Sequence, residues 1–110
     1  MNIPNIDLHC HSTISDGLLS PRSLVSFAAE KNVSVLALTD HDDIAGLEQA
    51  KIHADKLNIV FINGVEISVT WNKRTLHILG LNFDASNQEL ISGLRGIRDG
   101  RLKRAERMAD

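Results

Sequence analysis

Aromatic side chains are scarce in this sequence. It has three phenylalanines, one tryptophan and no tyrosine among 110 residues. Proteins that bind single-stranded nucleic acid by stacking present several exposed aromatic rings along a groove. No such platform is visible here, so the composition argues against that way of binding nucleic acid.

Cysteine occurs once, at position 10, so an internal disulfide cannot form. A lone thiol is typical of a protein from a reducing compartment. No N-terminal apolar stretch resembles a signal peptide, and no apolar run is long enough to span a membrane. The sequence therefore predicts a soluble, cytoplasmic protein without membrane contact.

The length allows one small domain with a core of its own. The formal net charge is only -2, but six of the twelve lysines and arginines lie in residues 95–110. We expect a single domain, with a core over about residues 3–85 and a basic helix over about residues 86–110. No helix stop signal precedes Asp110, so we expect this chain to be the N-terminal portion of a longer protein.

Polar and apolar side chains alternate in the segment DLHCHS at residues 7–12. Residues i and i+2 of a β-strand share a face, so His9 and His11 would converge while Cys10 packs on the other, apolar face. Two neutral imidazoles at one point can bind a metal ion. A His-x-His pair alone is weak evidence, and a pair of ordinary surface histidines is the alternative.

Two helices and a buried strand are expected next. Ser20 before Pro21 predicts a helix N-terminus, because serine caps helices and proline suits the first helical position. The apolar run at residues 33–38 predicts a strand covered on both faces. A second helix is expected over about residues 43–57.

The following segment is expected to contain strands joined by turns. The Asn-Gly pair at residues 63–64 predicts a turn between two strands, and NKR at residues 72–74 predicts a tight turn into the strand TLHILGLNF. The resulting order, β-α-β-α-β-β, is typical of α/β folds with parallel strands and right-handed crossovers.

Functional residues of such folds gather at the carboxyl ends of the strands. His9 and His11 close the first predicted strand, Asp40 and His41 close the second, and Glu66 follows the third. One edge of the sheet should therefore collect the residues that can bind metal.

The last segment is again helical in pattern. Ser86 and Glu89 have the spacing of a capping box. Five arginines recur at every third position and would spiral around a helix rather than form one stripe. We expect most of them to be solvated, whereas Arg98 and Arg101 are candidates to bind substrate phosphate, which suits the guanidinium group. The five are Arg95, Arg98, Arg101, Arg104 and Arg107.

Five motifs occur in the order and spacing of one protein family. DLHCHS, SDG, LTDHD, GVEIS and LHILG together resemble the PHP family, named for polymerases and histidinol phosphatases. The resemblance extends from about Asp7 into the basic helix. It implies that the chain forms the N-terminal part of a distorted seven-stranded β/α barrel.

The resemblance also implies a site for two or three divalent metal ions, most often manganese, with iron or zinc as alternatives. His9 and His11 would bind one ion, which Glu66 would share with another. Asp16 and His41 would bind a second ion.

Three further residues have roles implied by the motifs or by their neighbours. His77 has apolar neighbours, which by themselves would predict a core histidine. By its place in the motifs, however, it would bind the third ion on the side where Glu66 also binds that ion. Asp7 and Asp40 lie beside expected ligands. They would either orient imidazoles from behind or cap turns, and both alternatives stay open.

Among family members, the chain resembles the stand-alone bacterial phosphoesterases that act on nucleotides or short RNA. The resemblance implies hydrolysis of phosphate esters by metal-activated water, with a phosphorylated small molecule, a nucleotide or short RNA as the partner. Two alternatives stay open: a phosphatase like the histidinol phosphatases, and a metal-binding module without turnover.

Later motifs of the family supply further ligands, a histidine and an aspartate-histidine pair, which these 110 residues do not contain. We therefore expect the isolated chain to bind metal more weakly than a longer protein, and the missing ligands argue against turnover by it. Four or five strands cannot close a seven-stranded barrel. The open edge should make the chain self-associate, or leave it partly disordered beyond about Ser86.

Overall fold

A computed structural model describes residues 4–109 and, in the last helix, side chains as far as residue 103. Its elements are β1 (Ile6–Asp7), α1 (Pro21–Glu30), β2 (Val35–Leu38), α2 (Leu47–Lys56), β3 (Val60–Trp71), β4 (Arg74–Leu81) and α3 (Gln88–Ala109). The strands form one sheet in the order β1-β2-β3-β4, in which the first three are parallel and β4 is antiparallel to β3. The predicted α/β order is confirmed. The expected start of the core at residue 3 and the expected end of the basic helix at residue 110 lie outside the described residues.

The core lies between the two helices α1 and α2 and the sheet. Ser20 caps α1, its side chain accepting from the Ser23 amide, and Pro21 occupies the first turn as predicted. Val25 of α1 and Ala54 of α2 are fully buried. All of β2 from Leu36 onward is buried, as expected for a strand covered on both faces.

The predicted turn at residues 63–64 is wrong, because β3 runs without a break from Val60 to Trp71. Gly64 serves close strand packing instead. A Cβ at this position would lie 2.7 Å from the Leu38 carbonyl oxygen, so only glycine lets β3 approach β2 here.

The tight turn predicted in NKR is confirmed. Asn72 and Lys73 both have positive φ, at 50° and 64°, and join β3 to β4. Two consecutive left-handed residues form the turn that matches the twist of an antiparallel hairpin.

β3 extends well past the end of β2. The last paired residue of β2, Leu38, lies opposite Asn63. Beyond it, the chain after β2 meets β3 at one isolated bridge between His41 and Glu66. Glu66 therefore lies inside β3. The sequence had predicted that it follows the strand.

Two further boundaries differ from prediction. β1 ends at Asp7, so His9 and His11 follow the strand instead of lying in it. Helix α2 begins at Leu47, because residues 41–46 form the loop that carries His41 across the end of the sheet. His9, His11 and His41 therefore lie on loops and not in strands or helices. Functional groups commonly lie on loops.

Helix α3 is capped one residue later than predicted. Asn87 Oδ1 accepts from the Leu90 amide at 2.9 Å, whereas Ser86 donates to Asp84, so the Ser86–Glu89 capping box is wrong. The helix is continuous from Gln88 to Ala109, where the sequence had left disorder open. The side chains of Arg104 and Arg107 lie outside the described residues.

The edge strand β4 exposes apolar side chains. Leu76 is 44% exposed and Ile78 is 53% exposed. Such a face matches the expectation of an open edge, while self-association itself stays a prediction. Within residues 4–109, no helix combines the length and apolar composition needed to cross a membrane.

Candidate metal centre

Four separate segments bring the predicted ligands to the carboxyl end of the parallel strands. The chain after β1 and the chain after β2 supply loop residues, and the hairpin β3–β4 supplies two residues from within its strands. The structure brings together all six predicted ligands: His9, His11, Asp16, His41, Glu66 and His77.

Glu66 lies at the centre of the cluster, with a side chain only 7% exposed. Its Oε1 is 2.6 Å from His9 Nε2 and 3.2 Å from His11 Nε2. Its Oε2 is 3.2 Å from His77 Nδ1 and 3.6 Å from His41 Nδ1. Each carboxylate oxygen thus faces its own pair of histidines.

The environment of Glu66 favours its ionised form. Burial by itself raises the pKa of the Glu66 carboxyl, but the hydrogen bond with His9 and the nearby imidazoles lower that pKa below its ordinary value. A buried carboxylate held ionised among histidines is a strong candidate for a metal ligand.

Asp16 links two of the histidines from the other side. Its Oδ1 lies 3.4 Å from His11 Nδ1 and its Oδ2 lies 3.2 Å from His41 Nε2. His11 and His41 therefore stand between the carboxylates of Asp16 and Glu66. The result is three overlapping groups of possible ligands: His9, His11 and Glu66; His11, Asp16 and His41; and His41, Glu66 and His77.

The spacing of these donor atoms fits divalent ions. Ligand atoms about 2.1 Å from one ion are separated from each other by about 3.0–3.4 Å at tetrahedral or octahedral angles. In the first group, His11 Nε2 lies 3.2 Å from Glu66 Oε1 and 3.3 Å from His9 Nε2, within this range, whereas His9 Nε2 and Glu66 Oε1 are 2.6 Å apart, the distance of a direct hydrogen bond. Imidazole and carboxylate donors suit manganese, iron and zinc.

Cys10 is not part of this donor set. Its Sγ donates to the Ala37 carbonyl at 3.2 Å and packs against the core. Burial, with the charges of Asp7 and Asp40, raises the pKa of the thiol to about 12. The predicted core role of Cys10 therefore agrees with its contacts.

Asp40 holds the loop that carries His11 and Asp16. It is 1% exposed. Its Oδ1 accepts from the Ser12 amide at 2.7 Å and the Ser15 hydroxyl at 2.8 Å, and its Oδ2 accepts from the Ser12 hydroxyl at 2.6 Å. These hydrogen bonds are those of a loop cap, the second of the two roles considered from the sequence.

Asp7 makes a smaller cap. Its Oδ1 accepts from the His9 amide at 3.1 Å. Among the described residues, this hydrogen bond is the one that connects Asp7 to the ligand-bearing loop. This contact is to the main chain of the loop, as the turn-capping alternative predicts.

Arg98 and Arg101 lie beside the cluster. A cavity of about 380 Å³ is lined by both arginines together with Asp16 and His41. Another cavity of about 390 Å³ lies against α2 and contains none of the predicted ligands. The first cavity is the one that matters here, because it opens directly onto two candidate ligands.

The sequence did not point to Asp42, which is fully buried next to His41. Its Oδ1 accepts from the Ser68 amide at 2.6 Å. Arg98 Nη1 donates to its carbonyl oxygen at 2.7 Å, and Arg101 Nη1 lies 3.3 Å from its Oδ2. The only sequence signal was the run of acidic residues around His41, which does not say which of them is buried.

An α/β sheet with a cluster of histidines and carboxylates at the carboxyl end of its strands defines an α/β protein with a candidate metal site. The model of the PHP domain family matches residues 7–97, and the chain belongs to this family. The predicted resemblance is thereby confirmed, and the fold is that of the N-terminal part of a PHP barrel.

Named relatives are similar over nearly the whole chain. A 3',5'-nucleoside bisphosphate phosphatase of Chromobacterium violaceum is 49% identical over 94% of this chain and 36% of its own length. A 5'-3' exoribonuclease of Haemophilus influenzae is 50% identical over 94% of this chain and 38% of its own length. The chain thus spans little more than a third of these relatives.

A solved structure supports the same assignment. The chain matches a candidate metal-dependent phosphoesterase from Bifidobacterium adolescentis with a TM-score of 0.88 and 32% identity, over 97% of this chain and 37% of that protein. The family includes metal-dependent phosphoesterases, and the histidine and carboxylate groups of this chain are suited to metal.

Proposed function

We propose that this chain supplies the metal-binding part of a phosphoesterase that hydrolyses phosphate esters of nucleotides or short RNA. The observation that carries the proposal is the placement of Glu66, whose two oxygens face separate pairs of histidines. A carboxylate in this position can be shared between two ions. The names of the two bacterial relatives support nucleotides and RNA as the substrate class.

We further propose that the site holds two or three ions, with manganese preferred and iron or zinc as alternatives. Bound divalent ions would supply an activated water and would neutralise charge on the phosphate group. The six ligands would hold these ions in the three groups described above. No protein nucleophile is required by this chemistry.

We also propose that Arg98 and Arg101 form the phosphate-binding side of the cavity beside Asp16. Arg101 has a side chain that is 44% exposed, so part of its guanidinium is accessible to a ligand. A guanidinium can contact two phosphate oxygens at once, which fixes the orientation of the ester. The cavity lies directly next to His41, so a phosphate held there is close to the metal ligands.

Metal content and phosphate release test the proposal together. The protein is stripped with chelator and loaded with Mn²⁺, Fe²⁺ or Zn²⁺. It is then assayed for phosphate release from a nucleoside 3',5'-bisphosphate, for mononucleotide release from 5'-phosphorylated short RNA, and for phosphate release from histidinol phosphate. The C. violaceum relative is the positive control. We expect Mn²⁺-dependent hydrolysis of the first two substrates by a longer protein that contains this chain together with the later ligands, and little or none by the isolated chain.

Two results would redirect the interpretation. Preferred release from histidinol phosphate would support the histidinol-phosphatase alternative. Tight metal binding without release from any substrate would support a metal-binding module without turnover. Failure to bind any of the three ions would contradict the proposal as a whole.

A further inference from the structure

Asp42 has an unusual combination of burial and backbone conformation. It is 0% exposed, and its φ of 52° lies in the left-handed region. Non-glycine residues adopt this region at a cost in free energy, so the surrounding contacts have to hold them there. The contacts of Asp42 therefore show what this conformation serves.

The first set of contacts ties Asp42 to β3. Its amide donates to the Glu66 carbonyl at 3.0 Å, and its Oδ1 accepts from the Ser68 amide at 2.6 Å. Asp42 is thus hydrogen-bonded to β3 at two positions, Glu66 and Ser68. Ser68 is paired with His77 in the hairpin, so the same contacts set the position of the loop relative to both strands.

The second set of contacts ties Asp42 to α3. Its Oδ2 is buried and finds no hydrogen-bond partner among the described residues, although Arg101 Nη1 lies 3.3 Å away. At 3.3 Å the two groups are close enough to form an ion pair, but the N–H direction does not give a hydrogen bond. Arg98 adds a hydrogen bond to the Asp42 carbonyl. A buried carboxylate with one unpaired oxygen is costly unless a nearby cation offsets it, and Arg101 of α3 is that cation.

We propose that Asp42 is a positioning residue that holds the imidazole of His41 between Asp16 and Glu66, and that α3 maintains it through Arg101. The inference rests on the proposed metal site. Asp42 is not itself in any of the ligand groups found among the described residues. It positions His41 through the peptide bond that joins the two residues, and it positions Glu66 through its hydrogen bonds to β3.

Substitution of the carboxylate by an amide separates this role from simple packing. Asp42→Asn keeps the shape and the acceptor for the Ser68 amide, but removes the negative charge that faces Arg101. Asp55→Asn removes the same charge from an exposed position of α2 and is the matched control. Co²⁺ titration followed by visible absorption reports both affinity and coordination geometry, without any substrate.

We expect Asp42→Asn to weaken Co²⁺ binding by about 10–100-fold and to alter the Co²⁺ spectrum, as is usual for residues that orient metal ligands. Asp55→Asn should match the parent protein. Equal affinity and an unchanged spectrum in folded Asp42→Asn would overturn the inference. Failure of the parent protein to bind Co²⁺ and also Mn²⁺, Fe²⁺ and Zn²⁺ would instead overturn the proposed function, so the two failures are distinguishable.

A second variant keeps the test decisive if Asp42→Asn does not fold. Arg101→Gln leaves the buried carboxylate in place and changes a side chain that is 44% exposed. We expect it to fold, as judged by circular dichroism, and to bind Co²⁺ several-fold more weakly with the same direction of spectral change. Parent-like affinity and spectrum in Arg101→Gln would overturn the role of α3.

Discussion

His77 Nδ1 lies 3.2 Å from Oε2 of Glu66, and both residues belong to the hairpin of β3 and β4. One part of the candidate site, Glu66 and His77, therefore lies on two strands that are hydrogen-bonded to each other. The other part lies on loops after β1 and β2. Glu66 is the member of the hairpin that reaches both parts, since its Oε1 faces His9 and His11.

Glu66→Gln should weaken Mn²⁺ binding by more than about 100-fold, because an amide can offer an oxygen to only one of the two histidine pairs. Isothermal titration measures the loss. Glu48→Gln, at an exposed position of α2, is the control and should bind like the parent protein. Affinity of Glu66→Gln within about threefold of the parent would show that Glu66 is not shared between ions.

His9→Ala should abolish tight binding of at least one ion with little loss of folding stability, because the His9 side chain is 54% exposed. Cys10→Ala is the neighbouring control. It removes a partly buried thiol from the core and should cost stability by about 1 kcal/mol while it leaves metal stoichiometry unchanged. Metal analysis and thermal unfolding measure both effects, and the opposite pattern would argue for a thiolate ligand.

Gly64→Ala should lower the free energy of unfolding by about 1–3 kcal/mol, because its Cβ would collide with a backbone oxygen that cannot move aside. Gly93→Ala is the matched substitution in α3, where a Cβ meets nothing within 4 Å. It should raise stability by about 0.5–1 kcal/mol. Urea unfolding of both variants tests the pair, and equal effects would mean that the close approach of β2 and β3 is relaxed in solution.

Ile78→Lys should shift the chain toward the monomer, if the exposed face of β4 mediates the predicted self-association. Charged residues on an edge strand oppose pairing with another copy. Gln49→Lys adds the same charge to an exposed position of α2 and should leave the association unchanged. Sedimentation velocity distinguishes the species, and a parent chain that is monomeric at all concentrations would refute the prediction.

The convergence of His9, His11 and His41 was predictable because it needs only the order of the elements, whereas Asp16 and His77 were assigned from the family's motifs. Residues that close parallel strands meet at one edge of a sheet, which placed His11 beside His41 without knowledge of any contact. The helix start at Ser20 was predictable for a local reason. Its capping hydrogen bond joins residues three apart, and tertiary packing does not oppose it.

Other features depend on contacts between distant segments. An Asn-Gly pair is a common hairpin signal, but at residues 63–64 the glycine is used for contact with Leu38. The sequence does not distinguish Asp42 from Asp43 in burial, and it does not show that Asp40 is buried. Which of them is buried depends on where Ser12, Ser68 and α3 lie in the folded chain, and no local pattern contains that information.

The two-residue turn at Asn72–Lys73 has a consequence for the order in which the site assembles. Hairpins form in about 1–10 μs, because closing a short loop costs little chain entropy. Glu66 and His77 therefore meet early, whereas the contact between Glu66 and His9 closes 57 residues of chain. The hairpin can therefore bind an ion while the rest of the chain is still unfolded. A bound ion stabilises the native state only by the difference between its affinities for the native and the partly folded chain. The ion therefore adds less to native stability than its affinity for the complete site implies.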